Sequence, residues 1–233
     1  MFWKFAISST TILLYLLTGI AYSGTIKGAI VYTGTPPVVA PIKTGKYKEA
    51  CGSEFQNESV VISKNGLENV VVSIAGLKAN KASENGETPV FDQHKCRYTP
   101  HVLMIAKDSD LKIRSSDPIN HNIHTYSFDN DPINLMFTPG QEHTYRVEMP
   151  EVIKVECDLH SWMTGWIVVT DSTYSAISRQ GGTYEIKNVP PGTYTFNAWH
   201  EVFGSLNQTV KVGDGIVEVN FDFSKATPQV PKT

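Results

Sequence analysis

The sequence predicts an all-β protein of Greek-key sandwiches, and three observations carry the prediction. Runs of roughly four to eight residues rich in Val, Ile and Tyr recur along the chain. Pro and Gly pairs stand between them as turn signals. No window of about twelve residues or more holds the 3.6-residue apolar period of a packed helix.

The 233-residue chain opens differently from the way it continues. Lys4 is the only charge before a run of apolar and small residues from Phe5 to Ile20, and Ala21-Tyr22-Ser23 places small residues before Gly24. That is the pattern of a cleaved export signal over 1–23, with an uncleaved anchor as the alternative. The apolar run falls short of the roughly 20 residues a spanning helix needs. No later stretch is long and apolar enough to span, so no membrane span is expected after cleavage.

Strand-like runs follow in order. Gly24 to Tyr32 has apolar residues at 26, 29 and 31. Val60 to Ile62, Val70 to Ile74, Val102 to Ile105, Leu111 to Ile113 and His143 to Val147 come next, then Val152 to Val155 and Trp166 to Val169. The stretch 45–58 is polar and ambiguous, a loop or a single helical turn. A second rhythm begins at 171, with strands at Gly182 to Ile186, Gly192 to Ala198, Gln208 to Val212 and Ile216 to Phe221. Tight turns at Pro190-Pro191-Gly192 and Gly213-Asp214-Gly215 separate them. A unit this small has a marginal core alone and needs something to pack against. This gives a signal at 1–23, a sandwich over 24–170, a small module over 171–224 and a loose tail at 225–233. Residues 24–75 are candidates for sharing with the second module.

The chain carries 20 basic and 23 acidic side chains, and loss of Lys4 with the signal leaves a net charge near −4. A mildly acidic surface argues against a nucleic-acid partner and defines no other. Three cysteines remain, Cys51, Cys96 and Cys157. An odd count in an oxidising compartment is met most simply by a Cys51–Cys96 disulfide with Cys157 held by a metal. A mixed or intermolecular disulfide is the alternative.

The segment Val155 to Ile167 reads VECDLHSWMTGWI, so Cys157, His160 and Met163 fall three apart. Upstream, Asn120-His121-Asn122-Ile123-His124 supplies more imidazole. A thiolate, two imidazoles and a thioether suit a copper ion that cycles between Cu(I) and Cu(II). The short turn between two strands holds three of these groups, and the fourth must come from a neighbouring strand. On residue chemistry alone it is His121 or His124.

From about Pro100 to Val169 the sequence resembles the cupredoxins, the blue-copper electron-transfer domains, with the loop spacing of the amicyanin type. The resemblance implies a type 1 copper site with Cys157 as thiolate, His121 and His160 as imidazole ligands and Met163 as axial thioether. It gives Asn122 the role of pinning the ligand loop. His124, Trp162 and Trp166 are its candidates for the wall or electron path, Trp166 more simply as a core residue beneath the site. It departs after His160, where Ser161 stands in place of the amicyanin proline. Gly182 to Ile186 and Val189 to Tyr194 resemble the carboxypeptidase regulatory-like, or transthyretin-like, β-sandwich. The opening GTIKGAIVYTG does so too, so the copper region looks inserted into that module.

The signal pattern at 1–23 predicts a periplasmic or secreted protein, and the resemblance implies one that transfers single electrons and is not an enzyme. A c-type cytochrome or another copper protein is the expected partner, docking near a solvent-facing His160. The alternatives are copper binding and transport, or a subunit of a copper-dependent redox enzyme. His94 and His101 beside Cys96 fit no strong second-site motif. His200 either approaches the copper loop or lies at the surface. Met104 and Met136 read as core.

Overall fold

The structure, a computed structural model, describes residues 23–77, 87–171 and 173–228. Of the expected signal, 1–22 lie outside the described residues, as do 229–233 of the expected tail. Among the described residues no helix is long and apolar enough to cross a membrane.

The chain is all-β and forms two sandwiches, each around its own core. The first uses residues 90–170. One of its sheets runs in the order Glu142–Val147, Ser109–Ser115, Val90–His94, Arg97–Thr99. The other runs Asn134–Phe137, His121–Tyr126, Glu151–Glu156, Thr164–Thr170, Val102–Ala106. Strand alternation sends Leu111 and Ile113 from one sheet and Ile123, Ile153, Val155 and Ile167 from the other into a shared core with Phe91, Phe137 and Tyr145.

The second sandwich is split in sequence. Gly24–Val31 pairs antiparallel with Thr183–Val189 and parallel with Gly215–Glu218 and Phe221–Asp222. In the facing sheet, Val71–Ile74 lies between Ser175–Ile177 and Gly192–His200, and Gly204–Val212 forms the far edge. Ile26, Ile30, Leu67, Val72, Ile74, Phe196, Phe221 and Phe223 fill the space between. The early strands at 24–31 and 71–74 therefore belong with the C-terminal strands, and the first sandwich lies between them in the chain.

Gly28 is where this second sheet closes. Tyr184 lies over it and donates its hydroxyl to the Val219 carbonyl at 2.6 Å. A Cβ at 28 would stand 1.9 Å from that carbonyl oxygen and 2.6 Å from the Tyr184 ring. Backbone cannot yield as a flexible side chain does.

The two sandwiches meet along a seam of Val71, Val102 and Val168, flanked by Met104, Trp166 and Trp199. Trp166 packs edge-on against Trp199 at 5.3 Å and donates its indole N–H to Glu201 at 2.8 Å. The same carboxylate holds His101. Burial alone would lower the His101 pKa, but Glu201 overcomes it and holds the ring above its ordinary value. His200 next door is the reverse. Its Nδ1 accepts the backbone N–H groups of Val202 and Phe203, and burial followed by the charge of His101 pushes it down to about 3.

Two of the expected placements differ. Trp166 sits in the seam rather than beneath the candidate metal ligands. Met136 is 52% exposed, because Asn134–Phe137 is a sheet edge and residue 136 points outward from it.

Two outcomes are expected. Gly28→Ala lowers the unfolding free energy by about 2–3 kcal/mol, as overpacking against fixed backbone does, measured by denaturant titration. His200 is neutral in the fold but binds a proton below about pH 6.5 once unfolded, so its stabilisation is present above that pH and lost as pH falls. Between pH 6 and 4 the native protein should lose about 2–3 kcal/mol more stability than His200→Asn, at about 1.4 kcal/mol per pH unit.

Candidate metal centre

Cys157, His121 and His160 converge at one end of the first sandwich, with donor atoms all within 4.8 Å of one another. His121 begins the strand His121–Tyr126, and Cys157 directly follows the adjacent strand Glu151–Glu156. The turn to Thr164–Thr170 then carries His160 and Met163. Three backbone hydrogen bonds tighten that turn: Cys157 N–H to Met163 O at 3.1 Å, His160 N–H to Cys157 O at 3.2 Å and Met163 N–H to His160 O at 2.8 Å. Met163 is buried in the same core as Cys157.

Both imidazoles turn Nδ1 inward. His160 Nδ1 lies 3.5 Å from Cys157 Sγ and 3.1 Å from His121 Nδ1. His121 Nε2 is taken by Asp117 Oδ2 at 2.8 Å, which fixes the tautomer and leaves Nδ1 free to act as a ligand. Asp117 is itself buried and accepts the backbone N–H groups of Lys95 at 2.6 Å and Cys96 at 2.7 Å. Burial would raise its pKa, but His121 and these amides hold the carboxyl below its ordinary value.

The electrostatics favour a thiolate. Burial would push the Cys157 thiol up, but the His121 side chain and the amides of Asn122, Leu159 and His160 hold it below its ordinary value. The Asn122 N–H reaches the sulfur at 3.4 Å. His121, despite burial, is raised to about 9 by Asp117 and Cys157. His160 is lowered to about 4 by burial and then by the His121 charge. The cluster thus sets a cysteine whose thiolate form is favoured beside a raised His121 and a lowered His160. A metal ion would take the place of a proton there, as metal binding at Cys and His generally does.

An Asp–His–Cys order also suits a nucleophilic cysteine. Here the thiol is 2% exposed, and a second imidazole faces it. The donor set fits a soft metal better than a substrate carbonyl.

The remaining candidates fall into place around this cluster. Asn122 donates to Asn134 at 2.7 Å and to Asp158 at 3.0 Å, and its carbonyl oxygen accepts the Asp158 N–H, which pins the turn to the neighbouring strand. His124 faces away, paired with Asp158 at 3.1 Å and stacked on Tyr126. Trp162 lies 5.2 Å from His160, and its indole N–H donates to Cys96 O at 3.2 Å. Trp166, His101 and His200 are all engaged at the seam. His94 is half-exposed, 4.0 Å from Asp117. A second trio of Cys96, Asp117 and His121 also comes together, but the Cys96 sulfur is committed to the Cys51–Cys96 disulfide.

His160 corrects the sequence reading. It is 1% exposed rather than solvent-facing. Tyr47 stands edge-on to it at 4.5 Å, 75° between planes, and Trp162 lies on another side. The ambiguous stretch 45–58 supplies this cover, as a short 3₁₀ turn Gly45–Tyr47 running into one helical turn, Lys48–Cys51. Residue-type reasoning also missed Asp117, visible only as a turn-forming Asp-Pro four residues before His121. It missed Tyr98 too, whose hydroxyl bonds Asn122 O at 2.7 Å and Glu156 O at 2.9 Å and so ties together the two strands that position His121 and Cys157.

No protein-family model and no curated protein matches the chain. Solved structures do align with it. A copper-containing nitrite reductase from Thermus scotoductus is 14% identical with a TM-score of 0.35, over 40% of this chain and 25% of that one. A purple cupredoxin from Nitrosopumilus maritimus is 25% identical with a TM-score of 0.28, over 31% of this chain and 81% of that one. An amicyanin variant is 17% identical with a TM-score of 0.34, over 42% of this chain and 98% of that one. The chain thus spans a quarter of the reductase. What the candidate centre can bind is decided by its own donors.

Asp117→Asn, which removes the charge that orients His121, should weaken metal binding at this cluster by about 10–100-fold. Competition with a chromophoric chelator measures it.

Proposed function

We propose that this chain holds one copper ion in a mononuclear type 1 centre and carries single electrons between redox proteins. The observation that supports this most strongly is the buried convergence of Cys157 Sγ with the Nδ1 atoms of His121 and His160. In this reading those three would be the ligands, and Met163, carried on the same hydrogen-bonded turn and buried in the same core as Cys157, would supply a thioether. Bound copper would supply a one-electron couple between Cu(I) and Cu(II).

The chain's own residues hold the donors in place. Asp117 fixes the His121 ring. Asn122 and Tyr98 lock the ligand turn and its two strands. The Asn122 amide stabilises negative charge on the sulfur. Donors fixed in this way, and sheltered from water, need little rearrangement when charge changes. A catalytic copper site needs an open coordination position. Three converging, buried donors, with Met163 buried in the same core as Cys157, favour electron transfer over the enzyme and transport readings.

We place the protein in the periplasm or outside the cell, after removal of 1–23. Its partner would be a c-type cytochrome or another copper protein, meeting it through a small and transient interface. Leu159, 42% exposed between two proposed ligands, offers an apolar contact there. We read the split sandwich as a transthyretin-like support for the copper-bearing one.

Reconstitution with Cu(II) tests the proposal. The native protein should show an intense visible thiolate-to-copper band and a narrow copper hyperfine splitting in its EPR spectrum. Both should be absent in Cys157→Ser. A protein that binds zinc at this site but gives no coloured copper form would overturn the redox reading.

A further inference from the structure

The cover over His160 comes from the other sandwich. The chain leaves the split sandwich's core after Val39 and returns to it at Val60 and Ile62. Between these points it forms a strap, with a two-residue hairpin of Ile42–Lys43 and Glu54–Phe55 closing the turn that carries Tyr47. Thr44 ties the base of this hairpin to Gly52 and Ser53. No residue from 42 to 55 belongs to any of the three apolar clusters. Apolar packing is therefore a small part of what holds the strap down.

Its fixings are specific instead. The Cys51–Cys96 disulfide joins it to the turn between Val90–His94 and Arg97–Thr99. Arg97 lies over the Phe55 ring at 5.0 Å and reaches Glu58 at 3.6 Å. Tyr47 then presses against His160 and, at 5.9 Å, Trp162. The outward nitrogen of His160, Nε2, is buried without a hydrogen-bond partner. An imidazole edge that would otherwise meet solvent meets a phenol ring.

We propose that Tyr47, carried on this disulfide-held strap, determines what can reach the metal centre. It shuts the His160 edge against small soluble reagents, so an approaching molecule meets the strap and Leu159 instead of an imidazole. A centre covered along this edge discriminates against adventitious small oxidants and reductants in favour of a protein shaped to the strap. The proposal takes its purpose from the copper reading. Its geometry stands without it.

The test therefore begins on metal-free protein, with the alkylation rate of Cys157 by iodoacetamide. Tyr47→Phe, which keeps the ring, should match the native rate. Tyr47→Ala and the Cys51→Ser/Cys96→Ser double variant should react at least about tenfold faster, as expected when local opening is made easier. Amide hydrogen exchange at Val155 and Ile167 is followed in parallel and should not change. Equal alkylation in native protein and both variants would overturn the proposal. So would acceleration accompanied by loss of core protection in Tyr47→Ala, since the strap would then be a part of the fold and not a cover. A second arm measures oxidation of the copper-loaded, reduced protein by ferricyanide, which should also quicken in Tyr47→Ala, and an unchanged rate there would overturn the proposal as well. If no coloured copper form exists, only this arm is lost, and the alkylation result still decides.

Discussion

The buried carboxylate of Asp117 joins parts of the molecule that are otherwise separate. It accepts one N–H from the His121 ring and two from the backbone of the Lys95–Cys96 turn. A buried carboxylate with fewer donors would carry a large desolvation cost, so each of these three bonds stabilises the other two. One consequence is that the ring orientation of His121 and the position of the disulfide turn are set together. Trp162 reaches the same turn from the other side, through the Cys96 carbonyl. The turn at 95–96 thus touches the surroundings of both imidazoles, and the strap is anchored on it.

What could be read from sequence follows from how locally each feature is encoded. Cys157, His160 and Met163 share one tight turn, so their spacing alone announces them. His121 comes from another strand, and residue chemistry left it level with His124 until a family resemblance separated them. The structure shows why a strand forces that choice. Residue 121 faces the cluster, while residue 124 lies on the opposite side with Asp158. Asp117 carried no signal of its own, because its role depends on three donors that meet only in space. The burial of His160 is hidden for the same reason, since Tyr47, which covers one side of it, lies more than a hundred residues away in the chain. Trp166 went to the seam because alternation along Thr164–Thr170 points it away from the core that receives Ile167.

The strands themselves were legible where they were apolar. Val71–Ile74 and Gly192–His200 stand out by composition. Val90–His94 and Arg97–Thr99 do not, because His94, Arg97 and Thr99 dilute the pattern around Phe91 and Tyr98. Short polar pairs such as Ile42–Lys43 are visible only through their hydrogen bonds. The division into two cores is foreshadowed by the resemblance of the opening strand and of the C-terminal strands to one β-sandwich family. The seam between them was not, since it depends on single side chains such as Glu201 that bridge elements distant in sequence.

The split in the second sandwich also sets an order of assembly. Among the described residues, apart from one bridge at Val31–Gly66, the strand partners of Gly24–Val31 all lie beyond residue 182, and those of Val71–Ile74 lie at 174 and beyond. As the chain emerges from its N-terminus, residues 90–170 have every sheet partner they need before those later strands exist. Domains that complete first fold first. The unit that carries the candidate site can therefore be finished while the opening strand is still waiting for its neighbours, and the last strands to appear act as a clasp that gathers the strands flanking it in sequence.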